Sequence, residues 1–149
     1  MPHWTETCFT DHFKEFGFDT MDAEQTEVEA RFIAGALDIK DGDKILDLCC
    51  GVGRHAFELA GMGYDVVGID LCGSYIDHAR KIAEKEGILC AFEVGDMREI
   101  PFQSQFDAAF NFFTSWGYYS HEENFEVLKQ VAKALKPGGR FLLEVMNRD

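Results

Sequence analysis

Three carboxylates stand at or beside the ends of short apolar runs. They are Asp47 in Lys44-Ile45-Leu46-Asp47-Leu48, Asp70 after Tyr64 to Ile69, and Asp96 after Leu89 to Val94 and Gly95. The turn Cys49-Cys50-Gly51-Val52-Gly53 follows the first of them and leads into a helical pattern. Glycine lets a backbone approach a ligand with no Cβ in the way, and a helix start offers unpaired N–H groups. A carboxylate accepts several hydrogen bonds, which suits the vicinal hydroxyls of a ribose or an amine. Asp70 lies at the separation of about 20 residues from a glycine turn that a ribose contact requires. These residue types in this order point to a nucleotide ligand.

Two ligand classes compete. Gly51-Val52-Gly53-Arg54-His55-Ala56 reads as G-x-G-x-x-A, so an NAD(P)-binding Rossmann oxidoreductase is one reading. Placement favours another. A dinucleotide turn leaves an uncharged strand directly into its first glycine, whereas here Asp47 closes the strand and two cysteines intervene. A carboxylate at that point suits a ligand carrying an ammonium, not a pyrophosphate. A dehydrogenase would also need a separate substrate domain, for which 149 residues leave no room.

The elements that must place these residues alternate along the chain. Residues 1–20 carry Trp4, Phe9, Phe13, Phe16 and Phe18, with Phe9, Phe13 and Phe16 at helical spacing. They read as helical turns packed on the domain, or as a lid over a pocket. Residues 21–37 form an amphipathic helix capped by Asp22, with Met21, Gln25, Val28, Phe32 and Ala36 expected inward. Asp41-Gly42-Asp43 turns into the first strand. A strand over Tyr64 to Ile69, a helix over Ser74 to Glu86 and a strand over Leu89 to Val94 follow, then a strand over Phe106 to Phe112. A helix over Glu122 to Leu135, with Phe125, Leu128, Val131 or Ala132, and Leu135 inward, is stopped by Lys136-Pro137-Gly138-Gly139 before a fifth strand, Arg140 to Met146. Such alternation predicts an α/β fold, a parallel sheet with helices on both faces. Residues 1–149 read as a single domain whose core is 44–149.

The bulk properties narrow the partners. At 46% hydrophobic residues the chain is globular, and its net charge of −13 opposes binding to nucleic acid, which relies on Lys and Arg to displace counterions. No apolar run approaches the roughly 20 residues of a membrane helix. The N-terminus lacks the order of a signal peptide, so a cytoplasmic protein with a small-molecule substrate and no membrane partner is expected. Five cysteines without a C-x-x-C pair argue against a disulfide framework or a metal site. The strongly apolar fifth strand would leave a bare edge, which a second copy in a homodimer or a longer natural chain would cover.

Taken together, four segments resemble the class I S-adenosylmethionine-dependent methyltransferases. Ile45 to Gly53 resembles their first motif, Val67-Gly68-Ile69-Asp70 their second-strand motif, Gly95-Asp96-Met97 their adenine-side motif, and Leu135 to Arg140 the turn before their fifth strand. The resemblance implies a Rossmann-like methyltransferase fold of about five strands in the order 3-2-1-4-5, with S-adenosylmethionine as cofactor. It implies that Asp47 holds the methionine ammonium and that backbone at Cys49, Gly51 and Gly53 passes close to the methionyl group. Asp70 would bind the ribose hydroxyls, Leu71 would pack on adenine, and Asp96 and Met97, after Gly95, would meet the adenine amine and ring. Asn111 and Phe112 would flank the sulfonium. Cys49 departs from the family, which has glycine there, and the family's sixth and seventh strands are missing, with part of the substrate pocket.

The activity implied is methyl transfer to an O, N or C nucleophile of a small molecule. Such a displacement needs alignment above all, which can supply about 7–11 kcal/mol. The aromatic stretch after the fourth strand is the natural pocket wall, with Trp4, Phe113, Trp116 and Tyr118 as candidates. The adenine-modifying relatives share an Asn/Asp-Pro-Pro-aromatic run at this place, which Phe112-Phe113 breaks. No catalytic side chain is assigned. His12 and His121 are candidate proton acceptors whose plainer reading is a surface position, and His55 is read as serving the glycine turn. A cofactor-binding module without activity is the remaining alternative.

Overall fold

Lys44–Leu48 is buried from Ile45 onward because it runs through the middle of a sheet whose two faces are covered. The computed structural model describes residues 1, 3–113 and 115–146, and only the backbone of Asp11, His12 and Phe16. In chain order the elements are α1 (Thr5–Cys8), α2 (Asp11–Phe16), a 3₁₀ turn (Phe18–Thr20), α3 (Ala23–Ala36), β1 (Lys44–Leu48), α4 (Arg54–Gly61), β2 (Asp65–Asp70), α5 (Gly73–Glu86), β3 (Cys90–Val94), β4 (Phe106–Asn111), α6 (His121–Ala134) and β5 (Leu135–Leu143). All strand pairs are parallel, in the order β3-β2-β1-β4-β5. This is the expected Rossmann-like arrangement.

Side chains alternate along β1, so Ile45 faces one layer while Leu46 and Leu48 face the other. The first layer is α3, α4 and α5, whose Ala30, Ile33, Ala56, Leu59, Ile76 and Ala79 pack on Ile45, Val66 and Phe110. The second is α6, whose Val127, Val131 and Ala134 pack on Leu46, Leu48 and Ile69. Asp22 caps α3 by accepting the Glu24 N–H at 3.1 Å, and Ser120 with Glu123 forms a capping box on α6. Among the described residues no helix is long and apolar enough to cross a membrane.

Two helices bury a stripe that differs, wholly or in part, from the one expected. On α3 the buried residues are Thr26, Ala30 and Ile33, whereas Val28 and Phe32 are each 57% exposed. On α6 they are Val127, Val131 and Ala134, of which Val131 is as expected, while Phe125 is 58% exposed and Leu128 37% exposed. Both helices carry two apolar stripes. Close approach to a helix or sheet selects the stripe with the smaller side chains, and the bulkier one is left outward.

The end of the chain also departs from expectation. α6 stops at Ala134, and Leu135 already pairs with Phe106 as the first residue of β5. The register then slips: Arg140 pairs with Ala108, so 136–139 form an excursion in which Gly138 has φ 81°. The strand ends at Leu143, three residues before the expected Met146.

The α3 packing makes a direct test. Ile33→Ala should cost about 2–5 kcal/mol in urea unfolding. Phe32→Ala should stay within about 0.5 kcal/mol, and the reverse order would contradict this packing.

Candidate functional site

The turn after β1 builds the floor of the site. Cys49 has φ 61°, a left-handed conformation that a residue with a Cβ adopts at a cost, and its Sγ lies 3.5 Å from Met97 Sδ. Gly53 then starts α4 at φ 86°, and a Cβ there would lie 2.8 Å from the Phe92 ring. Conformation and space both require glycine at that position. α4 has no capping side chain. Its early N–H groups are therefore available, and that of Ala56 favours the ionised form of Asp47.

Asp47 is 3% exposed, and its Oδ2 finds no hydrogen-bond partner among the described residues. Burial pushes its pKa up to about 8, the Asp70 charge adds to the rise, and Arg54 and the Ala56 N–H oppose it. A buried, half-satisfied carboxylate is costly unless a cation meets it. Asp70 is arranged differently. Its Oδ2 accepts the Gly51 N–H and its Oδ1 the Cys72 N–H, each at 2.9 Å. Burial raises its pKa while these two donors pull it back, and lone pairs remain for further donors.

A cavity of about 160 Å³ opens above these groups. Of the residues singled out in the sequence, Asp47, Cys49, Gly51, Asp70, Leu71, Gly95, Met97, Phe112, Phe113 and Tyr118 line it. Gly53, Asp96, Asn111, Trp4 and Trp116 are not among its lining residues. Asp96 is engaged by Arg98, whose Nη2 donates to Oδ2 at 2.7 Å and whose Nε reaches Oδ1 at 3.1 Å. Burial would raise the Asp96 carboxyl, but the Arg98 hydrogen bonds outweigh it and hold it below the usual range. Asn111 donates its Nδ2 to the Leu48 carbonyl at 2.8 Å, tying β4 to the end of β1. Trp4 packs edge-on against Tyr118 at 4.8 Å, and Trp116 packs on the α6-side core. His121 is an exposed residue at the start of α6, and the side chain of His12 lies outside the described residues.

A second group of lining residues comes from the lid segment and the aromatic stretch to which the sequence pointed, and from Tyr75 of α5, to which it did not. Thr5, Phe9, Phe13 and Phe18 come from the N-terminal segment, and Tyr75, Ser115 and Tyr119 from α5 and the loop after β4. The segment is tied down by a hydrogen bond from Tyr75 Oη to the Thr10 carbonyl at 3.0 Å, by Phe18 edge-on to Tyr75 at 5.5 Å and by Phe9 stacked on Tyr118 at 5.8 Å. Arg54 and His55 line the cavity too. His55 is not confined to the turn. Its Nε2 lies 2.7 Å from Glu29 Oε2 of α3, the oxygen that also accepts Arg54 Nη1 at 2.6 Å. Burial and the Arg54 charge lower the His55 pKa to about 4 against the pull of Glu29. The ring is neutral near pH 7, so Nε2 carries the proton and donates to Glu29. A signal existed in the acidic residue at position 29 of an otherwise amphipathic helix, but its partner lies 25 residues away.

The sheet order, the glycine turn at the carboxyl end of β1, a buried carboxylate at the end of β1 and a half-buried one at the end of β2 define a Rossmann-like nucleotide-binding domain. The family described as "Methyltransferase domain" matches residues 45–139, and the chain belongs to it. The chain is 39% identical over 105 residues to a putative methyltransferase, YqeM, of Bacillus subtilis, covering 68% of this chain and 42% of that protein. It is 30% identical over 126 residues to the demethylmenaquinone methyltransferase of Paenarthrobacter aurescens, covering 84% and 47%. The solved glycopeptide N-methyltransferase MtfA in complex with S-adenosylmethionine superposes with a TM-score of 0.71 at 25% identity, covering 79% of this chain and 53% of that one. The chain spans about half the length of the curated relatives it matches. S-adenosylmethionine is the cofactor this membership carries, and the site fits it. A buried carboxylate oxygen with no partner among the described residues suits a ligand that carries an ammonium.

The buried acids set a pH dependence. Native Asp47 keeps to about pH 8 a proton that the unfolded chain releases near 3.8, so its contribution to stability falls as pH rises between those values. His55, lowered from 6.5 to about 4, contributes in the opposite sense, with stability rising up to about pH 6.5. Between pH 6.5 and 8 the Asp47 contribution is therefore unopposed by His55. Urea unfolding should show stability declining through that window, with the decline largely removed in Asp47→Asn. An unchanged slope in that variant would contradict the assignment.

Proposed function

We propose that the protein transfers a methyl group from S-adenosylmethionine to an O, N or C nucleophile of a small, largely apolar acceptor. The observation that carries the reading is the buried Asp47 Oδ2, which has no partner among the described residues and faces a cavity that Asp70 also lines. Asp47 holds the ammonium, Asp70 accepts from the ribose hydroxyls, and Leu71 and Met97 pack on adenine. Backbone at Cys49, Gly51 and Gly53 gives the methionyl group its close approach. Asp96 and Asn111 support this from outside, Asp96 by fixing Arg98 and Asn111 by joining β4 to β1.

The bound cofactor supplies an electrophilic methyl group. The chain's own residues contribute orientation and the exclusion of water. Phe112, Phe113 and Tyr118 form the acceptor side of the cavity, with Trp4 and Trp116 at its margin. Residues 1–20 act as a lid whose aromatic side chains close the roof, a role supported by the Phe9, Phe13 and Phe18 lining. Alignment suffices for a nucleophile that is already neutral or deprotonated, so the mechanism assigns no base. A ring of aromatic side chains suits an apolar acceptor, in keeping with a relative named as a demethylmenaquinone methyltransferase. For assembly, the outer edge of β5 is the surface we assign to self-association, and a monomer at all concentrations in sedimentation equilibrium would remove it.

S-adenosylhomocysteine at about 100 times its Kd should stabilise the protein by about 2.7 kcal/mol, read as a rise in Tm, while NAD leaves it unchanged. Asp70→Ala should lose most of that rise. Stabilisation by NAD alone would overturn the reading. Binding of S-adenosylhomocysteine with no turnover across a panel of small phenols, amines and activated methylenes would leave a cofactor-binding module.

A further inference from the structure

Arg54 is the one Lys or Arg among the described residues lining the cavity, and it stands near the carboxylate that most needs a cation. Its charge reaches Asp47, whose ionised form it favours. Yet the free Asp47 oxygen is not taken by it. Arg54 Nη1 donates instead to Glu29 Oε2 at 2.6 Å and to Thr26 Oγ1 at 3.0 Å, and the Phe113 ring lies 5.3 Å from its Cζ. The side chains of Arg54 and Glu29 are only 14% and 15% exposed, so water screens the pair little. Gln25 Nε2 steadies the other oxygen, Glu29 Oε1, at 3.1 Å.

We propose that Glu29 is a positioning residue for the cofactor: by holding Arg54 on α3 it keeps the Asp47 oxygen open for the ligand's ammonium. The inference rests on the assignment of Asp47 to that ammonium. A guanidinium released from Glu29 in a nearly dry site would be an unpaired charge beside the Asp47 carboxyl, which keeps its proton only while no cation meets it and would ionise against the freed Arg54. The two would pair. Arg54 would then occupy the group that recognises the amino-acid end and would repel the ammonium directly. The adenosine end would be spared, because Asp70 is held by the Gly51 and Cys72 backbone and has no contact with Glu29.

Two ligands separate this role from a structural one. S-adenosylhomocysteine carries the amino-acid end, ammonium and carboxylate together, while 5′-methylthioadenosine has the same adenosine and thioether without either charge. By calorimetry, Glu29→Ala should weaken S-adenosylhomocysteine about tenfold or more and leave 5′-methylthioadenosine within about twofold. Adding Arg54→Met to Glu29→Ala should recover most of the loss, since the competing cation is gone. Glu29→Gln, which keeps an acceptor oxygen, should lie between wild type and Glu29→Ala; should Glu29→Ala fail to fold, Glu29→Gln with and without Arg54→Met gives the same comparison. Asp47→Asn checks the underlying assignment by lowering only S-adenosylhomocysteine affinity. If Asp47→Asn discriminates the ligands but Glu29→Ala weakens both equally, or Arg54→Met brings no recovery, the Glu29 inference is overturned and the Asp47 assignment stands. If Asp47→Asn does not discriminate them, both fall.

Discussion

A carboxylate buried at the end of the central strand governs how the rest of the molecule is arranged. Asp47 sits where β1, the glycine turn and α4 meet, and burial makes its charged form expensive. One helix N–H helps it, and the other oxygen stays open. The backbone around it must therefore come close without side chains in the way. Gly53 meets the Phe92 ring, and a Cβ on Gly68 would lie 2.8 Å from both Cys50 Sγ and the Phe92 ring. Such a site trades stability for an open acceptor, since folding leaves a buried carboxylate oxygen unsatisfied.

The surrounding charges hold this arrangement in place at a distance. Glu29 binds Arg54 and His55 to α3 on one side of the cavity. On the other side Arg98 joins Asp96, Glu123 at 2.8 Å and the Tyr119 ring at 4.1 Å, while Tyr119 also meets His3 at 4.8 Å. The loop after β3, α6 and the N-terminal segment are thus locked around one guanidinium. A chain with a net charge of −13 uses two of its few arginines to fasten the walls of its site.

Much of this was legible in the sequence. The alternation of apolar runs and helical patterns determined the parallel sheet, because strand and helix periods are local properties of neighbouring residues. The glycine turn, Asp47 and Asp70 were legible for the same reason: each lies at a strand end, where an α/β sheet places its ligands. Resemblance in four ordered motifs added the cofactor class. Tertiary structure alone decided which of two apolar stripes α3 and α6 bury, because Val28, Phe32, Phe125 and Leu128 are as apolar as the residues that won. It alone set Asp96 on Arg98 instead of the cavity, and brought Glu29 to Arg54 and His55 across 25 and 26 residues. Those outcomes depend on distances between elements, which a one-dimensional pattern does not contain.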